Sequence, residues 1–276
     1  MDQKIVVDSC CDVTKALCEE FNMTTVPLTI TLGERSITDD DNIDLPQFME
    51  DMHNCNSKIG SAAPSPVLFK EAFLESQTSY AVTLSSNLSG SYASAMLGRE
   101  MAIEEGADVH VFDSKSASAG EVLIALRIGQ MIKAGIQKSE IIASIEGFIK
   151  QMKTYFVLEN IDNLLKNGRM NKITGTLINI LGIKPIMGDD GDGNIALYSH
   201  ARGEKQVIEK LTDAITKSHR DFEGQSMVIA HCNNPGLAEK LMNEIKIKFP
   251  FREIYIVPTR GISSMYANSK GLIMAF

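Results

Sequence analysis

The chain has 276 residues, of which 44% are hydrophobic and 22% are charged, and its formal net charge is -8. This length is sufficient for one large or two modest globular domains, each with its own buried core. The acidic balance, 27 basic against 35 acidic residues, argues against a nucleic-acid-binding surface, because phosphate contacts need a basic face.

Strand-like and helix-like segments alternate along the whole chain. Apolar periodicity predicts strands at 5–8, 25–32, 80–84 and 109–112 and helices at 14–21, 44–52, 65–74, 118–133 and 139–150. After residue 153 the pattern restarts, with strands at 155–158, 183–187, 195–200, 227–231 and 254–257, helices at 161–165, 173–181, 204–217 and 235–247, and a last strand at 272–276 that would close the sheet. The alternation predicts an α/β fold with largely parallel sheets. The restart predicts two α/β domains, residues 1–152 and 153–276.

Two serine-rich turns follow apolar, strand-like runs. The first ends the run Val-Val-Asp-Ser at 6–9, and the second is Ser-Ser-Asn-Leu-Ser-Gly-Ser-Tyr at 85–92. Such turns meet at the carboxyl edge of a parallel sheet, where open α/β folds bind ligands. The helix expected to begin near Ser89 directs free backbone N–H groups and a positive dipole end to the same place. The two turns therefore predict a cradle for a small anion.

The N-terminus and the cysteines indicate a cytoplasmic protein. Residues 1–8 lack the apolar stretch of a signal peptide. No run approaches the roughly 18 apolar residues of a membrane span. The five cysteines lack the spacing of a disulfide framework, and Cys10 and Cys11 are adjacent. Free thiols in a reducing compartment are therefore expected.

Several short motifs, taken together, resemble the DegV family. They are Val-Val-Asp-Ser-Cys-Cys-Asp at 6–12, Ser-Ala-Ala-Pro-Ser-Pro at 61–66, Leu-Ser-Ser-Asn-Leu-Ser-Gly-Ser-Tyr at 84–92, Phe-Asp-Ser at 112–114, Leu-Leu-Lys-Asn-Gly-Arg at 164–169, Ile-Lys-Pro-Ile at 183–186 and Ala-Arg-Gly-Glu-Lys at 201–205. The segments lie in the family's order and span nearly the whole chain, which makes the combination specific.

The resemblance implies a two-domain α/β protein that buries one long-chain fatty acid, with the carboxylate near the domain interface. It implies a carrier that presents this carboxylate to a separate ATP-dependent fatty-acid kinase and has no chemistry of its own. It also implies no metal and no cofactor, the bound fatty acid being the ligand.

The resemblance assigns the carboxylate site to two serines. Ser61 falls where the family has its carboxylate-binding Thr, and Ser89 matches the Ser of the second turn. A Ser at a helix start is also a common N-cap, so Ser89 has a purely structural interpretation. The N–H of Gly90 could bind the ligand while Ser89 caps the helix.

Near the C-terminus the chain departs from the family. The family carries a His-x-Gly-Pro-Gly segment whose His binds the carboxylate, whereas residues 266–271 here read Tyr-Ala-Asn-Ser-Lys-Gly. Ala267 stands in the His position, and Tyr266, Lys270 or a water is a candidate replacement. A divergent lipid binder that is not coupled to a kinase therefore stays open as an alternative.

Two arginines in these motifs are candidates for binding a phosphate or a partner. Arg169 and Arg202 carry guanidinium groups, which bind phosphates through two parallel hydrogen bonds. Either residue alone is better interpreted as a surface arginine beside acidic neighbours such as Glu204.

A serine-dependent acyl-ester hydrolase is the alternative from a different class. The sequence lacks the Gly-x-Ser-x-Gly nucleophile elbow, and its five histidines are scattered, with none near a serine-rich turn. Folding could still bring a histidine to a serine, so this alternative also stays open. The glycine-rich segment 188–194 predicts a hairpin turn rather than a calcium loop or a dinucleotide fingerprint.

Overall fold

The computed structural model describes residues 3–170 and 182–276, so the helix predicted at 173–181 lies outside the described residues. The strands are β1 Gln3–Asp8, β2 Met23–Val26, β3 Thr29–Leu32, β4 Arg35–Thr38, β5 Ile59–Ala62, β6 Thr78–Thr83, β7 Asp108–Asp113, β8 Thr154–Val157, β9 Lys184–Asp189, β10 Ile195–Ala201, β11 Ser226–His231, β12 Glu253–Pro258 and β13 Leu272–Ala275. The helices are α1 Lys15–Phe21, α2 Leu45–Asn54, α3 Pro66–Phe73, α4 Ser91–Glu104, α5 Ala119–Lys133, α6 Lys138–Gln151, α7 Asp162–Lys166, α8 Gly203–Lys217, α9 Pro235–Lys248 and α10 Gly261–Ala267.

The first half of the chain forms a four-stranded sheet that is parallel throughout. Its strand order is β2-β1-β6-β7. Successive residues of β1 point to opposite faces, so Ile5 and Val7 pack in the cluster with α5, and Val6 packs with α3 and α4. Helices therefore cover both faces, as a parallel sheet requires. The α/β class and the parallel arrangement are confirmed for this half.

The second half forms a six-stranded sheet in the order β10-β9-β8-β13-β11-β12, and here the prediction of largely parallel strands is wrong. Only β11 and β12 pair in parallel, and the other four pairs are antiparallel. The predicted hairpin turn connects β9 to β10 and makes that pair antiparallel. Strand β13 does not close an edge of the sheet, because it lies in the interior between β8 and β11.

A three-stranded antiparallel sheet, β4-β3-β5, was not predicted. The single strand expected at 25–32 is divided at Pro27, which has no N–H for a strand ladder. Strand β4 is short and mostly exposed, so it lacks the apolar signal of a buried strand. Strand β5 pairs with β3 and carries Ser61 opposite Ile30, which fixes the position of that serine.

Helix α5 packs against both larger sheets. It contacts β1 and β6 on one side and β11 and β13 on the other. One hydrophobic cluster includes Ile5, Ile124, Val228 and Ile273, so a continuous core joins the two halves. The division into domains at residue 152 stays a prediction. Within residues 3–170 and 182–276, no helix has the length and apolar content needed to cross a bilayer.

Candidate functional site

A cavity of about 130 Å³ lies between the carboxyl edge of the parallel sheet and the six-stranded sheet. One buried water needs roughly 10–15 Å³ on a comparable measure, so the cavity has room for a substantial ligand. Its apolar wall consists of Leu28, Leu84, Leu88, Phe156, Leu158, Leu164, Ile195, Ile262 and Ile273. An apolar cavity with a few polar groups is typical of a small-molecule site.

Four of the six residues predicted for the site line this cavity, namely Ser61, Ser89, Arg169 and Ala267. Gly90 does not line it, but it lies beside Ser89 and faces the residues that follow β5. A Cβ added to Gly90 would be 3.7 Å from Cβ of Ala63. Arg202 precedes α8 on the exposed surface, and its backbone N–H donates to Oε1 of Gln206 at 2.6 Å. The structure therefore places Arg202 outside the cavity.

The Ser61 hydroxyl meets the Tyr266 hydroxyl at the cavity wall. Their oxygens are 2.9 Å apart, and both side chains are half-buried. Ala267, which the resemblance aligns with the family's His, is buried and lines the cavity. Lys270 is exposed and does not line the cavity. Of the two side chains considered as replacements for the imidazole, Tyr266 is therefore the one at the site.

The segments that carry these residues are hydrogen-bonded to one another. Nε of Arg169 donates to the carbonyl oxygen of Leu88 at 3.2 Å, which ties the end of α7 to the Ser89 turn. Nδ2 of Asn167 donates to the carbonyl oxygen of Ile59 at 3.1 Å, which ties the same segment to β5. The polar groups of the cavity therefore come from a connected set of elements.

Ser89 lies two residues before the first residue of α4. Gly90 occupies the N-cap position, and Oγ of Ser89 accepts the backbone N–H of Ser91 at 3.2 Å. A hydroxyl has one donor hydrogen and two acceptor lone pairs. Ser89 can therefore hold the helix start and still donate its hydrogen to a ligand, so the structural and the binding interpretations are compatible.

Hydrogen bonds to the side chain of Asp8 hold the Ser89 turn in place. Its carboxylate is fully buried and accepts the backbone N–H groups of Cys10 at 3.0 Å and Leu84 at 2.9 Å. It also accepts the hydroxyl of Ser91 at 2.5 Å. Burial raises the pKa of Asp8, and the three hydrogen bonds oppose that shift. One side chain thus fixes both ends of the turn to strand β1.

Asp12 and Asp39 hold the start of α10, the helix that carries Tyr266. Asp12 accepts the backbone N–H of Arg260 at 2.6 Å, and Asp39 accepts the backbone N–H of Ile262 at 3.0 Å. Both carboxyl groups are fully buried. Carboxylates at a helix N-terminus satisfy free N–H groups and interact favourably with the helix dipole. Sequence analysis missed both roles, because the contacts join residues more than 220 positions apart.

The buried carboxyl groups predict that the protein loses stability as pH rises. Burial raises the pKa of Asp12 to about 7, and it also raises those of Asp39 and Glu121. Between about pH 4 and pH 7 the folded chain then holds protons that the unfolded chain has released. The free energy of unfolding should therefore fall across this window, and urea unfolding between about pH 5 and pH 8 measures it.

Asp12→Asn is the variant that tests the contribution of Asp12. The amide keeps an oxygen for the Arg260 N–H, and its NH₂ can donate to Oγ of Ser118, which now donates to Asp12 at 2.5 Å. The variant should show a flatter dependence of unfolding free energy on pH. The same slope in both proteins would mean that Asp12 does not titrate in this window.

The turn between β9 and β10 is fastened to the second serine-rich turn beside the cavity. Oγ of Ser85 donates to the carbonyl oxygen of Gly193, and Nδ2 of Asn87 donates to that of Asp192, each at 2.8 Å. Gly193 has φ +88°, and a Cβ there would lie 2.4 Å from Oγ of Ser85. The contact therefore requires glycine at this position. Sequence analysis identified both turns but not their contact.

No histidine lies beside the serines of the cavity, and the carboxyl group nearest to one of them is that of Asp12, which is buried and accepts the hydroxyl of Ser118 at 2.5 Å. All five histidines lie within the described residues, and none lines the cavity. The Ser61 hydroxyl is hydrogen-bonded to another hydroxyl, that of Tyr266. Activation of a serine nucleophile requires an adjacent base, and the hydrogen bonds of Ser61 and Ser89 run to a hydroxyl and to a backbone N–H. For these two serines, the geometry does not favour the hydrolase alternative. Over residues 3–170 and 182–276, no group of three or more His, Cys, Asp and Glu residues is arranged to hold a metal ion.

Comparison with known proteins identifies the family. A model described as uncharacterised proteins of the DegV family matches residues 2–272. The chain belongs to the DegV family. A DegV domain-containing protein of Streptococcus pneumoniae is 34% identical over 280 residues, which cover 100% of this chain and 99% of that protein.

Solved structures of DegV proteins have the same fold. A DegV protein of Ruminococcus gnavus, refined with vaccenic acid, is 37% identical with a TM-score of 0.94 and covers 99% of both chains. The fatty acid kinase B3 protein of S. pneumoniae, loaded with linoleic acid, is 33% identical with a TM-score of 0.91, covering 100% of this chain and 99% of its own. A DegV protein of Eubacterium eligens, loaded with heptadecanoic acid, is 28% identical with a TM-score of 0.90, covering 99% of this chain and 98% of its own.

Proposed function

We propose that this DegV protein binds one long-chain fatty acid and presents it to a separate fatty-acid kinase. The acyl chain occupies the cavity, and the carboxylate lies at Ser61 and Ser89, with the N–H of Gly90 close by. The protein is a carrier and leaves the chemistry to the kinase. The observation that carries this proposal is a largely apolar cavity at whose wall the hydroxyls of Ser61 and Tyr266, from separate segments, converge.

The energetics of such a site favour a fatty acid. Burying an acyl chain contributes about 0.8 kcal/mol per CH₂ group, so the chain supplies most of the affinity. Each hydrogen bond to the charged carboxylate contributes roughly 1.5–3 kcal/mol. Three DegV relatives with the same fold hold fatty acids, which supports the same ligand class here.

Coupling to a kinase is the finer part of the proposal. A relative that is 33% identical is a protein of a fatty acid kinase. Arg202 is exposed, so its guanidinium is accessible to a partner or a phosphate. Arg169 lines the cavity and is tied to the Ser89 turn, which suits a role at the carboxylate end. We place the protein in the cytoplasm, since its five cysteines are free thiols.

Native mass spectrometry of the purified full-length protein, followed by denaturing extraction, tests the function. We expect one fatty acid per chain. Ser89→Ala should reduce fatty-acid affinity by roughly 10- to 100-fold, the effect of one hydrogen bond to a charge. Ser86→Ala is the matched control, because Ser86 belongs to the same turn but is exposed and does not line the cavity.

Two results would contradict the proposal. An empty protein that also fails to bind added fatty acid would rule out the carrier function. Equal losses of affinity in Ser89→Ala and Ser86→Ala would mean that the turn has a structural effect only, and Ser89 would then be a helix-start residue without a binding role.

A further inference from the structure

The Ser61–Tyr266 hydroxyl pair has the properties of a binding site for the ligand head group. The two residues are 205 positions apart, and their oxygens lie 2.9 Å from each other. Both residues line the cavity. The bond between the hydroxyls uses one of their two hydrogens, so the second remains available for an acceptor inside the cavity.

The pair is held in place from both sides. Ser61 lies in β5, opposite Ile30 of β3 in a hydrogen-bonded ladder. Tyr266 lies in α10, where Nδ2 of Asn163 donates to the carbonyl oxygen of Met265 at 2.7 Å. Asp39 accepts an N–H at the start of the same helix. Donors fixed before the ligand arrives need little further ordering on binding.

Within the part of the chain that the structure describes, the two cations that line the cavity, Lys115 and Arg169, already have partners on the protein. Nζ of Lys115 is 2.8 Å from Oδ2 of Asp113. Arg169 donates from Nε to Leu88 and from Nη1 to the carbonyl oxygen of Asn167. These bonds use two of the five N–H donors of Arg169. The hydroxyls of Ser61 and Tyr266 therefore act beside this cation in recognising a head group.

We infer that Tyr266 is a head-group-binding residue and that, with Ser61, it makes the cavity select a free carboxylate over an esterified one. This inference rests on the proposed function. A carboxylate has two charged oxygens, and each can accept one hydroxyl hydrogen after the pair separates. Hydrogen bonds to a charged acceptor are about twice as strong as neutral ones. A methyl ester offers a neutral carbonyl oxygen and carries no charge on its second oxygen, so both hydrogen bonds are weaker.

The test compares two ligands with the same acyl chain. Dissociation constants of oleate and methyl oleate are measured by titration calorimetry on the delipidated full-length protein and its variants. Tyr266→Phe keeps the ring and removes the hydroxyl, so it should weaken oleate binding about tenfold and methyl oleate binding by less than about twofold. The selectivity between the ligands should therefore shrink, which a general loss of folding would not cause.

Two further variants complete the design. Tyr255→Phe is the matched control, because the Tyr255 hydroxyl bonds to Glu253 on β12 and does not line the cavity. It should leave both constants unchanged. Ser61→Ala should also weaken oleate selectively, and the double variant should lose less than the product of the single losses, because the two hydroxyls act on one head group.

Three outcomes would overturn the inference. Wild-type affinity for oleate in Tyr266→Phe would remove Tyr266 from the site. Equal wild-type affinities for oleate and methyl oleate would mean that the cavity holds the chain without selecting a carboxylate, and the proposed fatty-acid binding would survive. Failure of the wild type to bind either ligand would refute the proposed function and the inference together.

Discussion

Asp8→Ala is expected to lower the free energy of unfolding by about 3–5 kcal/mol. The substitution leaves three buried donors without their acceptor, namely the N–H groups of Cys10 and Leu84 and the hydroxyl of Ser91. Each buried donor that loses its partner costs roughly 1–3 kcal/mol. Fatty-acid affinity should also fall, because the released turn carries Ser89. Urea unfolding and ligand titration measure the two effects.

Asp108→Ala is the matched control for this experiment. Asp108 is the first residue of β7 in the same sheet. It is exposed and forms an ion pair with Lys138. Exposed ion pairs contribute about 0–1 kcal/mol, so this variant should unfold almost as the wild type does. Similar losses in the two variants would show that the hydrogen bonds of Asp8 do not hold the turn.

Gly98→Ala is expected to lower the free energy of unfolding by about 1–2 kcal/mol. Gly98 lies in α4 where α3 crosses closely, and a Cβ there would lie 2.6 Å from the carbonyl oxygen of Pro66. The atom in the way is backbone, so the helices must separate. The resulting overpacking exceeds the helix-propensity gain of about 1 kcal/mol that alanine brings. Pro66 begins α3 only a few residues after β5, the strand that carries Ser61. A displacement of α3 should therefore disturb Ser61 and lower ligand affinity as well.

The same substitution at Gly147 should have the opposite sign. Gly147 lies in α6, and a Cβ there would meet no heavy atom within 4 Å. Gly147→Ala should therefore stabilise the protein by about 0.5–1 kcal/mol through helix propensity alone. Thermal unfolding of the two variants side by side separates the effect of packing from that of propensity. Stabilisation by both substitutions would contradict the close crossing of α3 and α4.

The parallel half of the fold was predictable because its signals are local. Strands β1, β6 and β7 are apolar runs, and α2 and α3 begin at the capping residues Asp44 and Ser65. The antiparallel pairing of the second half was not predictable in the same way. The position of β13 between β8 and β11 depends on two partner strands that both precede it in the chain by more than 40 residues. No local pattern encodes that choice.

The site was predictable where short motifs carry it and unpredictable where distant segments build it. Ser61, Ser89 and Arg169 lie in recognisable motifs, and all three line the cavity. Tyr266 was one of several replacements considered for the imidazole, and its contact with Ser61 joins residues that are 205 positions apart. The support that Asp39 gives to α10 likewise arises only on folding, because Asp39 is followed by more than 220 residues before its partner Ile262.

The interior position of β13 has a consequence for the order in which the molecule is made. The four parallel strands all precede residue 114, so their sheet can assemble while later residues are still being synthesised. Strands β8, β9 and β10 can pair with one another earlier, but the free edge of β8 lacks its neighbour until residues 272–275 have left the ribosome. Non-local pairing of this kind is slow and exposes unpaired strand edges in the interval. The cavity wall at Ile273 is therefore completed only after every other strand of that sheet has been synthesised.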